Sequence, residues 1–124
     1  GLGIVHAIAH MVGAEYDTHH GLTNAIILPA VLRFNLPGMD EKVKRMSEAM
    51  HFEGDSAESF ISNIEKLLDR INIPKGLGEI GVPEDCAERI AKKSMVDTAF
   101  GTNPRNASYD EMFELVKTSI NQAR

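Results

Sequence analysis

The stretch Gly3-Ile4-Val5-His6-Ala7-Ile8-Ala9-His10-Met11-Val12-Gly13-Ala14-Glu15-Tyr16-Asp17-Thr18-His19-His20-Gly21-Leu22-Thr23-Asn24 decides how this chain is read. Its first part is apolar nearly all round, with small Gly and Ala among larger residues. That is the pattern of a central helix packed on all sides. His6 and His10 stand four residues apart, which on a helix places both imidazoles on one face, one turn apart. His20 follows at a sharp His-His-Gly turn. Neutral imidazole is the commonest side-chain ligand for transition metals, so the segment reads as part of a buried metal site. The set is unfinished, because no carboxylate joins the three imidazoles.

Outward from this stretch almost every segment has helical period, and no convincing strand pattern appears. The spacing predicts a first helix over residues 2 to 14 and a second over 22 to 34, with Pro29 kinking or restarting the latter. Leu36-Pro37-Gly38 ends it. Asp40 caps a third helix to about Met50, with Val43, Met46 and Met50 on its inner stripe. Asp55 with Glu58 resembles a capping box. The helix it opens carries Phe60, Ile61, Ile64, Leu67, Leu68 and Ile71 at i, i+3, i+4 spacing. Gly76-Leu77-Gly78-Glu79-Ile80-Gly81 has the look of a phosphate loop but follows no strand, so it reads as a turn between helices. Pro83 suits the first turn of the next helix, with Cys86, Ile90 and Met95 inward. Ser108 and Glu111 cap the last, with Met112, Leu115, Val116 and Ile120 inward. The expectation is one all-α domain of about six helices over residues 1–124.

Composition excludes several classes. The chain has 124 residues, 43% hydrophobic and 25% charged, the balance of an ordinary globular domain with a real core. Its net charge of −5 and the lack of a basic stripe argue against nucleic acid as a partner. A lone Cys86 excludes an internal disulfide, fits a reducing cytosol and reads as a small core residue. The longest apolar run, Ala25 to Leu32, is too short for a membrane span and is broken by Pro29. No signal peptide is visible, and the opening Gly1-Leu2-Gly3 already lies in a helical pattern, as expected of a fragment of a cytoplasmic protein.

The pattern Gly-x-Val-His-Ala-x-Ala-His-x-x-Gly-Ala, then His-Gly-x-x-Asn-Ala and an apolar Leu-Pro, resembles the second signature of the iron-containing (group III) alcohol dehydrogenases. The likeness is dense over residues 1 to 35 and continues more weakly to Asn103-Pro104-Arg105, similar to the family's "NPR" before its last helix. Two positions depart from it: Met11 and His19 stand where the family often has proline.

The resemblance implies the C-terminal helical half of a two-domain dehydrogenase that oxidises a small alcohol to an aldehyde or ketone with NAD or NADP. By resemblance the metal, Fe2+ with zinc as a possible substitute, is held by an aspartate and three histidines. His6 and His20 match two of those histidines, while the aspartate and the other histidine belong to an earlier part of the family's chain, as does the nucleotide-binding domain. His10 matches a residue beside the nicotinamide and the substrate, placed to relay a proton. Asp17 matches no ligand position. His19 and His51 read as solvated. A zinc-dependent glycerol dehydrogenase-like enzyme and a non-catalytic helical metal-binding or interaction module stay open as alternatives. So does the oligomeric state, a homo-oligomer being compatible with it.

Overall fold

In the computed structural model, residues 3–97 and 99–121 are described. Among them are six α-helices and no strand: α1 (Gly3–Tyr16), α2 (His20–Asn35), α3 (Asp40–Ala49), α4 (Ala57–Arg70), α5 (Ala87–Met95) and α6 (Tyr109–Asn121). The expected helix start at Leu2 lies outside the described residues.

Helix α1 is the central element. Ile4, Ala7, Ile8, Ala9 and Val12 are buried, and the helix packs against α2 and α5. Its core continues through Ile26, Ile27 and Val31 of α2, Ile90 and Ala91 of α5, and Met112 and Val116 of α6. A second, smaller cluster holds Leu36, Val43, Phe60, Ile61, Ile64 and Leu68, and fastens α3 and α4 to the end of α2. Burial of these apolar side chains, at about 1.5–3 kcal/mol each, outweighs the weak propensity of the β-branched residues in α1 and α2.

Several local expectations are corrected. Pro29 does not restart α2, which runs unbroken over His20–Asn35 with Pro29 buried inside it. Met39, not Asp40, is the N-cap of α3 and offers no side-chain bond; Asp40 is the first helical residue, where its charge suits the helix dipole. Ser56 rather than Asp55 caps α4: its backbone is extended and its hydroxyl accepts from the Ser59 N–H at 3.0 Å. Pro83 is the cap of a short 3-10 segment (Glu84–Cys86) that leads into α5, one position earlier than expected. Met50 (43% exposed) and Ile71 (57% exposed) leave the core because each is the C-cap residue, past the last turn that holds its stripe inward. Leu67 is exposed too, so the buried stripe of α4 is Phe60, Ile61, Ile64 and Leu68. The Ser108–Glu111 box forms as expected: Ser108 N–H donates to Glu111 Oε1 at 3.0 Å and Glu111 N–H to Ser108 Oγ at 3.2 Å.

The connection from α5 to α6 closes the top of α1. The N–H of Gly3 donates to Thr102 Oγ1 at 2.8 Å and that of Ile4 to Asn103 Oδ1 at 3.2 Å, so side chains from the far end of the sequence cap the first helix. Asn103 and Asn35 exchange a reciprocal pair of amide bonds at 2.8 and 3.0 Å, which ties α2 to the same point. Arg105 lies over the Phe34 ring at 4.1 Å and donates to the Phe34 carbonyl. Asn103→Ala removes both the cap and the α2 tie, leaving partners unsatisfied. It is expected to cost about 2–3 kcal/mol in urea unfolding, and a midpoint equal to that of the unaltered chain would refute this role.

Candidate metal centre

Three imidazoles meet beside the start of α2. The His6 and His20 ring centres are 5.5 Å apart, those of His10 and His20 are 5.6 Å apart, and those of His6 and His10 are 6.1 Å apart. The helical spacing supplies the first two rings from one face of α1. The short turn over residues 17–19 brings in the third. That turn is built by local chemistry. Asp17 takes a left-handed backbone (φ 52°), and its N–H closes α1 on the Gly13 carbonyl at 3.0 Å. His19 caps α2 by accepting from the Leu22 N–H at 3.4 Å, and the buried Thr23 hydroxyl bonds Thr18 Oγ1 at 2.8 Å.

The rings fit a divalent transition metal in kind and in spacing. Two imidazoles sharing one metal at about 2.1 Å per bond hold their ring centres roughly 5 Å apart. Among the described residues, however, no group of three or more His, Cys, Asp or Glu is arranged to hold a metal ion. The cluster is therefore an open set of donors and not a closed shell. The site is also less buried than expected: His20 is exposed and the His10 side chain is 37% exposed.

One neighbour escaped the sequence reading. Asp97, just past the end of α5, reaches His10: Nδ1 lies 3.1 Å from Oδ2 and 3.3 Å from Oδ1. Burial pushes the Asp97 carboxyl up, but the Ala99 N–H at 3.0 Å and His10 outweigh it and hold the group below the usual carboxylate range. No local pattern marks Asp97, since its partner is 87 residues away. The remaining expectations are met more simply. Cys86 is buried in the core, and His51 is exposed, in a left-handed turn after α3. Glu15, at the end of α1, pairs with Arg89 at 2.6 Å and Lys93 at 3.1 Å, pinning α5 beside the site.

The profile of the Fe-containing alcohol dehydrogenase family, C-terminal part, matches residues 1–120. The chain belongs to this family. A lactaldehyde reductase of Escherichia coli (strain K12) is 35% identical to it, over 96% of this chain and 33% of its own length. A 1,3-propanediol dehydrogenase of Klebsiella pneumoniae is 38% identical, over 96% of this chain and 32% of its own length. In three dimensions the chain superposes on a solved 1,3-propanediol oxidoreductase with a TM-score of 0.88 at 35% identity, covering 95% of this chain and 32% of that one. This member of the Fe-containing alcohol dehydrogenase family thus spans about a third of the length of the curated relatives it matches. It corresponds to their C-terminal helical domain, as the His and Gly pattern implied. No helix among its described residues is long and apolar enough to cross a membrane.

Proposed function

We propose that this chain is the helical part of a metal-dependent NAD(P) alcohol dehydrogenase, in which His6 and His20 hold the metal and His10 serves the reaction. The observation that carries this is the gathering of the three imidazoles within about 6 Å of one another in a domain of this family. A divalent metal held there would supply a Lewis acid for the alcohol oxygen, and a bound nicotinamide would supply the hydride acceptor. Everything else falls to the protein. His6 and His20 supply two neutral nitrogen donors, and the rest of the ligand set, with its charged carboxylate, comes from residues outside this chain. Iron is the metal the family's description names; imidazole suits zinc as well. His10, beside both rings, takes the proton of the substrate hydroxyl and passes it to water. Ala9 is buried and Val5 and Met11 are packed against the core, an apolar flank that would limit water at the reacting atoms once the rest of the enzyme covers the site.

One observation favours a second assignment. A carboxylate on one ring nitrogen is also the usual support of a metal-ligating histidine, and His10 has such a partner in Asp97. Metal analysis of single histidine variants separates the two assignments.

The proposal predicts that the 124-residue chain by itself shows no NAD(P)-linked alcohol turnover and binds iron(II) or zinc no tighter than micromolar. Joined to a nucleotide-binding half from a relative, it is expected to turn over small alcohols. Tight one-to-one binding by the chain alone, abolished by His6→Ala, would mean that the ligand set is complete within it.

A further inference from the structure

We propose that Asp97 is the positioning residue of His10, holding its imidazole in the Nδ1–H tautomer so that Nε2 is left as the proton acceptor. This rests on the reading of His10 as the proton relay and says what makes it one. A carboxylate is an acceptor only, so the ring nitrogen facing it must carry the hydrogen. Nδ1 faces both carboxylate oxygens, at 3.1 and 3.3 Å. A neutral imidazole has a single N–H, and fixing it at Nδ1 strips Nε2 to a lone pair.

A histidine–aspartate contact at a surface is ordinarily worth little, because both side chains wander. Here the carboxylate is held from its own side. Asp97 is only 14% exposed, against 37% for His10. Its Oδ2 also accepts the Ala99 N–H at 3.0 Å, and its carbonyl accepts the Phe100 N–H at 3.1 Å. A few residues later Thr102 and Asn103 cap the first turn of α1. The same connection therefore grips α1 at its N-terminus and at His10, so the carboxylate and the ring stand on one rigid frame. In the relay, the substrate hydroxyl gives its proton to Nε2, the charge that forms on the ring is balanced by Asp97, and the same proton leaves Nε2 for solvent. The Nδ1 hydrogen does not move.

The test uses the ¹⁵N-labelled chain with Asp97→Asn and Asp97→Ala, reading the His10 tautomer from two-bond imidazole N–H correlations in the neutral ring. Asp97→Asn keeps the size of the side chain and an acceptor for the Ala99 N–H, so it preserves the turn if Asp97→Ala does not. The unaltered chain is expected to show Nδ1–H, and both variants a majority of Nε2–H. In the whole enzyme the variants are expected to lose about 10- to 100-fold in kcat with KM and bound metal unchanged. Asp97→Glu should recover part of that loss, and adding His10→Ala to Asp97→Ala should cost little more than His10→Ala alone. His10 remaining Nδ1–H without Asp97 overturns the proposal, as do fully additive losses. The spectroscopic arm needs neither metal nor nucleotide. A tautomer that follows Asp97 while turnover stays unchanged upholds the positioning and refutes the relay.

Discussion

In the whole enzyme, His6→Ala and His20→Ala are each expected to leave the protein without bound metal and without measurable turnover, while His10→Ala keeps the metal and loses about 10²–10⁴-fold in rate. The asymmetry follows from the roles proposed for the rings, His6 and His20 as metal ligands and His10 as proton acceptor. His6 and His20 have their centres 5.5 Å apart on different helices, so removing either opens the donor set from one side. A metal site that loses a ligand loses both affinity and geometry, and no neighbour replaces the ring: His19 is occupied as the N-cap of α2 and Asp17 is the exposed left-handed residue closing α1. His10 is proposed to stand off the metal as the proton acceptor, its Nδ1 on Asp97. Its truncation removes a proton acceptor and leaves the other two rings in place. Metal content by elemental analysis, measured beside kcat on the three purified variants, decides the matter. A His10→Ala protein as metal-free as His6→Ala would make His10 a ligand and exchange the two roles.

Helix periodicity in the sequence was enough to place the helical body and to choose the face of α1 that bears His6 and His10, because both depend on near neighbours. The limits lie where distant parts of the chain meet. Asp97 sits in an unremarkable helix end, and only the packing of α5 against α1 brings it to His10. Asn103 was visible as a motif, yet its role as the cap of Ile4 depends on a contact across 99 residues. Cap positions slipped by one residue at α3 and α4, since Asp, Ser and Met compete for the cap on backbone angles that a pattern does not contain. Apolar stripes overran their helices at Met50 and Ile71 for a related reason: a periodic pattern continues past the last hydrogen-bonded turn, but the buried face does not.

Gly76→Ala is expected to destabilise the domain by about 2–3 kcal/mol and lower its Tm by several degrees, with metal and nucleotide affinity of the folded enzyme unchanged. The glycine-rich segment that looks like a phosphate loop is in fact seated on the C-terminal end of α6. Leu77 is fully buried there, and Glu79 folds back to accept the N–H groups of Lys75 at 2.6 Å and Gly76 at 3.2 Å. A Cβ on Gly76 would come within 2.6 Å of the Ile120 carbonyl oxygen and 2.7 Å of that of Asn121. Both obstacles are backbone atoms, so no side-chain rotation relieves them; α6 or the segment itself must shift, loosening Leu77 from the core it shares with Ile120. Gly81 provides the contrast. Its backbone is left-handed (φ 96°) with open space around the missing Cβ, so Gly81→Ala carries only the conformational strain, about 1 kcal/mol. Thermal unfolding of the two variants beside nucleotide titration separates packing from ligand binding. Gly76→Ala with unchanged Tm but weakened nucleotide binding would make the segment a phosphate loop and overturn its reading as a turn between helices. A lower Tm with unchanged binding is what a segment buried against a helix end requires.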